Sequence, residues 1–224
     1  MTQPEQEPLV SVVIPKRDRC ELTLRALLSV FRQTHGALEI IIVDDASTED
    51  DQALQAFIIG KPVRILRIPR HCGAAEARNH GIDAVSGEYI AFLDSDDYWL
   101  PNKIERQLAI LKGLVQPCLL AGALAYTKRG EIFQSGYPEL KPGTAIEDYL
   151  YVQQGVLQTT TFMMTTAVAR MVRFDETLPV HQDTDFLLRA TALGVTVHFD
   201  ADIVGVADAG NRSEERRVGK ECLR

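Results

Sequence analysis

Residues 89–93, Tyr-Ile-Ala-Phe-Leu, are five apolar side chains in succession, and Asp94, Ser95, Asp96 and Asp97 follow without a break. A run this short and this uniformly apolar is predicted to be a strand covered on both faces, as in a parallel sheet with helices packed above and below. Pro101 is predicted to open the next helix, because its fixed φ suits a first helical residue and its missing N–H costs nothing there. The carboxylates then stand at the carboxyl end of a buried strand, where open α/β sheets bind their ligands. Asp94-Ser95-Asp96 offers two hard oxygen donors, which suit Mg²⁺ or Mn²⁺ shared with phosphate oxygens. Taken alone, such a segment is more often a turn that caps a helix. The rest of the chain decides between the two.

The first half repeats the same rhythm. Residues 9–15 are predicted as a buried strand and 21–34 as a helix, with Leu24, Leu27, Leu28 and Phe31 at i, i+3, i+4 and i+7. Residues 39–45 form a second strand that also ends in two carboxylates, Asp44 and Asp45. Ser47 and Thr48 are expected to cap a helix over 49–59, and strand 63–68 and helix 73–85 follow. The order β-α-β-α-β-α-β with short connections implies right-handed crossovers and a mostly parallel, Rossmann-like sheet with helices on both faces. The strand ends then lie along one edge, so Asp44, Asp45, Asp94, Asp96 and Asp97 are expected to converge there although they are far apart in sequence. Turn chemistry does not account for that convergence.

The rhythm changes after a helix over 102–114. Residues 118–127 and 131–134 are predicted as a hairpin around Lys128-Arg129-Gly130. A short helix is expected over 144–151, a strand over the Thr-rich 158–165 and a helical turn over 167–172. Residues 183–193 are predicted as an amphipathic helix with Phe186, Leu187, Ala190 and Leu193 inward and Gly194 as its stop, followed by a strand over 195–199. The chain thus divides into a polar segment 1–8, a first half 9–114, a second half 115–211 of the same domain, and a tail 212–224. The tail from Arg212 to Cys222 resembles the in-frame translation of a sequencing-library adapter, which predicts that the native chain continues differently after Asn211. A solvated, charged tail has the same composition.

Composition narrows the partners. The 224 residues are 46% hydrophobic, ample for one α/β core, and the formal net charge is −7. With no basic stripe, nucleic acid is not an expected partner. An acidic protein that binds a diphosphate needs a local cation, and a metal supplies it. Cys20, Cys72, Cys118 and Cys222 are scattered, with no CxxC pair, which predicts reduced thiols in a cytoplasm. Residues 1–8 lack the basic flank and apolar core of a signal peptide.

With these motifs laid out, the chain resembles a bacterial family 2 glycosyltransferase of the GT-A fold. Four motifs carry the resemblance, in order: Val12-Val13-Ile14-Pro15; Val43-Asp44-Asp45-Ala46-Ser47; Gly73 to Gly81 with Ala77-Arg78-Asn79 inside; and Gly87 to Asp97, followed by Trp99-x-Pro101. A fifth, Gln182-Asp183-Thr184-Asp185-Phe186-Leu187-Leu188-Arg189, matches the family's later acidic motif with Gln182 in place of Glu. Lys16-Arg17-Asp18-Arg19 stands where an aromatic-Asn pair is common.

The resemblance implies an inverting, metal-dependent transfer from a nucleotide-sugar, UDP-linked, to a hydroxyl of a glycan or lipid-linked glycan, with residues 9–114 as the donor-side half and 115–211 as the acceptor-side half. Its setting would be polysaccharide synthesis in the cytoplasm or at the inner face of the membrane, with peripheral membrane contact allowed. It assigns Asp183 as catalytic base, Asp96 as direct ligand of Mn²⁺ or Mg²⁺ and Asp94 as its support. Pro15, Lys16, Arg17, Asp44, Asp45, Gly73, Asp94, Ser95 and Asp96 would bind the donor, with Gly73 allowing close approach of the chain. Asp183 at a helix start is also explained by the helix dipole, Arg78 and Asn79 by packing, and Tyr98 and Trp99 by the core. His71 and His181 receive no role. Two other functions remain open from the residues: a nucleotide-sugar-binding module without turnover, and a nucleotidyltransferase. The latter needs a Gly-rich phosphate loop, and 15–19 contains no glycine.

Overall fold

The computed structural model describes residues 7–128, 131–134 and 137–208. The expected breaks at 1–8 and 212–224 fall wholly or mostly outside those residues. The donor-side half follows the sequence closely: β1 (Val10–Lys16), α1 (Cys20–Phe31), β2 (Leu38–Asp45), α2 (Gln52–Ile58), β3 (Val63–Ile68), α3 (Ala74–Ala84) and β4 (Tyr89–Phe92). Strands β3, β2, β1 and β4 lie side by side in that order, all parallel. Register places Lys16 opposite Asp44 and Val13 opposite Phe92, so the carboxyl ends do share one edge.

Period-two alternation divides the core between the two faces. Val13, Ile41, Val43, Ile90 and Phe92 pack with α3 and with two later helices, α5 (Thr166–Val172) and α6 (Gln182–Ala192). Val12, Ile14, Ile40, Ile42, Ala91 and Leu93 pack with α1 and with α4 (Lys103–Lys112). Helix α3 lies so close to β1 that a Cβ at Gly81 would stand 2.3 Å from Val13 Cγ1. The absence of a side chain there sets the helix-to-sheet distance.

Beyond β4 the sheet is mixed, as expected, and several details differ. Pro101 lies in a turn ahead of α4, whose N-cap is Asn102. Before it, Asp97–Trp99 forms a short strand, β5, where the sequence pattern shows only a turn. It runs antiparallel to the long last strand, β9 (Thr196–Asp208), which extends well past 195–199. The expected strand over 158–165 is a 3-10 turn, Thr159–Thr161, leading into β8 (Met163–Thr165). All three threonines are fully buried, and Trp99 Nε1 donates to Thr160 O at 2.7 Å. The hairpin β6 (Cys118–Lys128) and β7 (Glu131–Gln134) forms, with β6 also parallel to β9. The expected helix at 144–151 appears as the π-helical turn Asp148–Val152. Leu193 is not an inward residue: it is half exposed, as the C-cap of α6 ahead of Gly194 at φ +82°.

Candidate active site

A cleft of about 1780 Å³ opens along the carboxyl edge of β1, β2 and β4 and is closed on its far side by the 150–158 loop and the start of α6. Its wall includes Pro15, Lys16, Arg17, Asp45, Asp94, Ser95, Asp96 and Asp183. Asp44 stands behind that wall. Neighbours on a strand point to opposite faces, so only one of the Asp44–Asp45 pair reaches the cleft. Asp44 Oδ1 accepts from Ser47 N–H at 3.0 Å and lies 3.8 Å from Lys16 Nζ. Ser47 does not cap α2, whose N-cap is Asp51. Its hydroxyl accepts from Lys16 Nζ at 3.0 Å and from Asp18 N–H at 2.7 Å.

Asp45 is pinned more tightly. It accepts from Cys72 N–H at 2.7 Å and Gly73 N–H at 2.9 Å, and lies 2.7 Å from His71 Nδ1. Burial works to raise its pKa, and the hydrogen bonds from Cys72, Gly73 and His71 outweigh it, holding the group below its ordinary value. Burial and the Asp45 carboxylate push the Cys72 thiol up to about 12, so it stays protonated. Gly73 has φ +90° and ψ 167°, a region open in practice only to glycine. A Cβ there would meet no other atom of the chain, so the backbone conformation by itself already requires glycine.

Asp94, Asp96 and Asp97 offer ligand oxygens that lie within 4.8 Å of one another, and all three residues are buried. Three hard carboxylates at that spacing fit a divalent ion such as Mg²⁺ or Mn²⁺. Three arginines already engage this cluster. Arg78 Nη2 donates to Asp94 Oδ1 at 2.6 Å and Arg78 Nη1 to Gln182 Oε1 at 2.8 Å, with the guanidinium 5.3 Å from the Phe174 ring centroid. Arg19 Nη1 donates to Asp96 Oδ2 at 3.2 Å. Arg25 Nη2 donates to the Asp96 backbone oxygen at 2.5 Å.

Asp183 sits in the first turn of α6, half-buried, and accepts from Thr159 Oγ1 through its Oδ1. The buried threonine turn therefore touches both sides of the cleft, since Thr160 Oγ1 also accepts from Asp94 N–H at 3.3 Å. Trp99 is core. Sequence reasoning gives no site role to Arg78, Arg19, His71 or Thr159. Arg78 was visible inside the Ala77-Arg78-Asn79 motif, but its partners lie 16 and 104 residues away. Asn79, its neighbour, holds Phe174 through both its amide groups, donating to the backbone oxygen and accepting from the N–H, each at 2.9 Å.

Fold and cleft together define an α/β protein with an acidic ligand site at the carboxyl edge of a parallel sheet. Residues 11–174 match the family described as glycosyl transferase family 2, and the chain belongs to that family. It is 31% identical over 196 residues to the amylovoran biosynthesis glycosyltransferase AmsB of Erwinia amylovora, over 82% of this chain and 64% of that one. It is 33% identical over 103 residues to the UDP-Glc:alpha-D-GlcNAc-diphosphoundecaprenol beta-1,3-glucosyltransferase WfgD of Escherichia coli, over 46% of this chain and 41% of that one. The GT-A fold is shared with S. aureus TarS 1-349, solved in complex with UDP-GlcNAc, at TM-score 0.75 and 19% identity over 93% of this chain and 60% of that one. The chain thus spans less than two thirds of the length of these relatives. Among the described residues, no helix is long and apolar enough to cross a membrane.

Proposed function

We propose that this chain carries the catalytic centre of an inverting glycosyltransferase that moves a sugar from a UDP-linked donor to a hydroxyl of a glycan or lipid-linked glycan. One observation carries the reading: Asp45, Asp94, Ser95, Asp96 and Asp183, from three separate parts of the sequence, line one cleft at the carboxyl edge of the parallel strands. Its volume exceeds the roughly 300–1,000 Å³ of a pocket for one small ligand, which suits a site shared by donor and acceptor. The UDP-GlcNAc complex of TarS and the UDP-Glc donor in the name of WfgD support the nucleotide. The diphosphoundecaprenol in that name supports a lipid-linked acceptor.

In this reading Pro15, Lys16 and Arg17 border the base. Asp45 accepts from a ribose hydroxyl or a uracil N–H, and Asp44 keeps Lys16 in place from behind. Gly73 fixes Asp45 through its backbone N–H. Asp96 is the direct ligand of Mn²⁺ or Mg²⁺, Asp94 supports it under the hold of Arg78, and Ser95 and Asp97 complete the turn. The bound ion offsets negative charge on the diphosphate leaving group. Asp183, steadied by Thr159 at Oδ1, takes the acceptor proton on its other oxygen.

The test is product formation from UDP-sugars by the unsubstituted chain and by Asp183→Asn. The expected result is UDP binding within about twofold of the parent and transfer lowered by roughly 10²–10⁴. Retained turnover would clear Asp183 of the base role. UDP binding without any transfer by the parent would favour a binding module.

A further inference from the structure

Arg19 stands out among the cleft residues on three counts. Its guanidinium lies on Asp96, one of the three carboxylates whose oxygens could share a cation, at 3.2 Å. Its side chain remains 37% exposed on the cleft wall, so it has room to move. Its backbone, with that of Asp18, is left-handed, at φ 57° and 56°. Two successive non-glycine residues in that region are costly and persist only where the surroundings impose them.

The surroundings do impose them. Asp18 Oδ1 accepts from Thr48 N–H at 2.7 Å and from Glu49 N–H at 2.9 Å, while Asp18 N–H donates to Ser47 Oγ at 2.7 Å. The two backbone bonds also hold the Asp18 pKa below its ordinary value, so the clamp stays ionised at neutral pH. On the other side, Cys20 N–H donates to Glu49 Oε2 at 3.0 Å. The loop is thus bolted to the 47–49 segment before and after Arg19, and the side chain between the bolts is aimed at Asp96.

We propose that Arg19 is a donor-phosphate residue that shares Asp96 with the metal by competition. The inference rests on the metal-dependent reading above. A guanidinium and a divalent ion on one carboxylate repel each other, so the ion displaces Arg19 from Asp96. The released guanidinium stays tethered at the cleft wall, beside the site where a diphosphate would share the ion. Its planar fork of N–H donors matches phosphate oxygens in pairs. Arg19 thereby disfavours metal binding without donor and favours the donor once the metal is present. Metal and nucleotide become positively coupled, because the diphosphate gives the displaced cation a new partner.

The two halves of the inference have opposite signs, which a purely structural role for Arg19 would not produce. The experiment titrates Mn²⁺ alone by electron paramagnetic resonance, then UDP at saturating Mn²⁺ by calorimetry, on the parent, Arg19→Gln and Arg19→Lys. For Arg19→Gln the inference predicts Mn²⁺ affinity raised about fivefold or more and UDP affinity lowered about tenfold, in line with the loss of a charge-assisted bond. Arg19→Lys keeps the charge but not the fork, so it should leave Mn²⁺ affinity within about twofold and still weaken UDP. Weaker or unchanged Mn²⁺ binding by Arg19→Gln, or undiminished UDP affinity, overturns the inference while the functional reading stands. A parent that shows no Mn²⁺-dependent UDP binding overturns both.

Discussion

Replacing Arg78 by Met removes the charge that holds Asp94 while keeping the length of the side chain. The Arg78 and Asp94 side chains are only 6% and 10% exposed. Removing one member of a pair that buried costs about 3–5 kcal/mol, because the carboxylate left behind is poorly solvated. The Gln182 Oε1 acceptor also loses its donor, at about 1 kcal/mol. A methionine sulfur against the Phe174 ring returns up to roughly 1 kcal/mol. The net loss is about 4 kcal/mol, a large share of the roughly 5–15 kcal/mol that holds a domain together. At ~2–4 °C per kcal/mol for a domain of this size, Tm falls by about 8–16 °C. Urea unfolding and thermal melts, each with and without Mn²⁺, measure it. A divalent ion compensates Asp94 in place of the guanidinium, so Mn²⁺ should raise the Tm of the variant by more than that of the parent. A stability loss below about 1 kcal/mol, or equal Mn²⁺ increments, would refute the assignment of Arg78 as the charge that balances Asp94.

Two further outcomes follow from buried titratable groups. Lys103 is fully buried, its Nζ has no hydrogen-bond partner among the described residues and lies 4.1 Å from the Trp99 ring centroid, and burial pushes its pKa well below the usual lysine range. The unfolded chain then holds the extra proton, so stability rises with pH toward about 10.4. Lys103→Met should add roughly 1–3 kcal/mol at pH 7 and flatten that rise; urea midpoints at pH 7 and 9 check it, and a less stable variant would contradict it. Asp45, with its pKa held below 3.8, contributes stability that is complete above about pH 4 and lost as pH falls through its folded value. Acid unfolding followed by the fluorescence of Trp99 should be shallower below pH 4 in Asp45→Asn than in the parent.

The parts of the fold that were legible in the sequence are those fixed by local pattern. Strands β1 to β4 announce themselves as apolar runs between amphipathic segments, and β3 is bounded by Val63 and Ile68 as read. What escaped depends on distant partners. Ser47 looks like a helix cap because it precedes a helix, yet its hydroxyl is taken by Lys16 and Asp18 from another strand and loop. The three threonines at 159–161 have β propensity, but their hydroxyls and carbonyls are claimed by Asp183, Asp94, Trp99 and Gln107, which favours a tight turn. Asp97–Trp99 reads as the tail of a turn because its pairing strand, β9, comes about a hundred residues later. At the site, carboxylates could be placed at strand ends by counting residues. The arginines that balance them could not, since nothing local ties Arg19 to Asp96.

The central claim is a metal-dependent nucleotide site at the Asp94–Asp97 turn. Calorimetric titration of UDP, GDP and CDP with and without Mn²⁺, on the parent chain and on Asp96→Ala, tests it most directly. The account predicts that UDP binds only with Mn²⁺ and that Asp96→Ala abolishes the binding. Equal binding without the ion, or undiminished binding by Asp96→Ala, would contradict it.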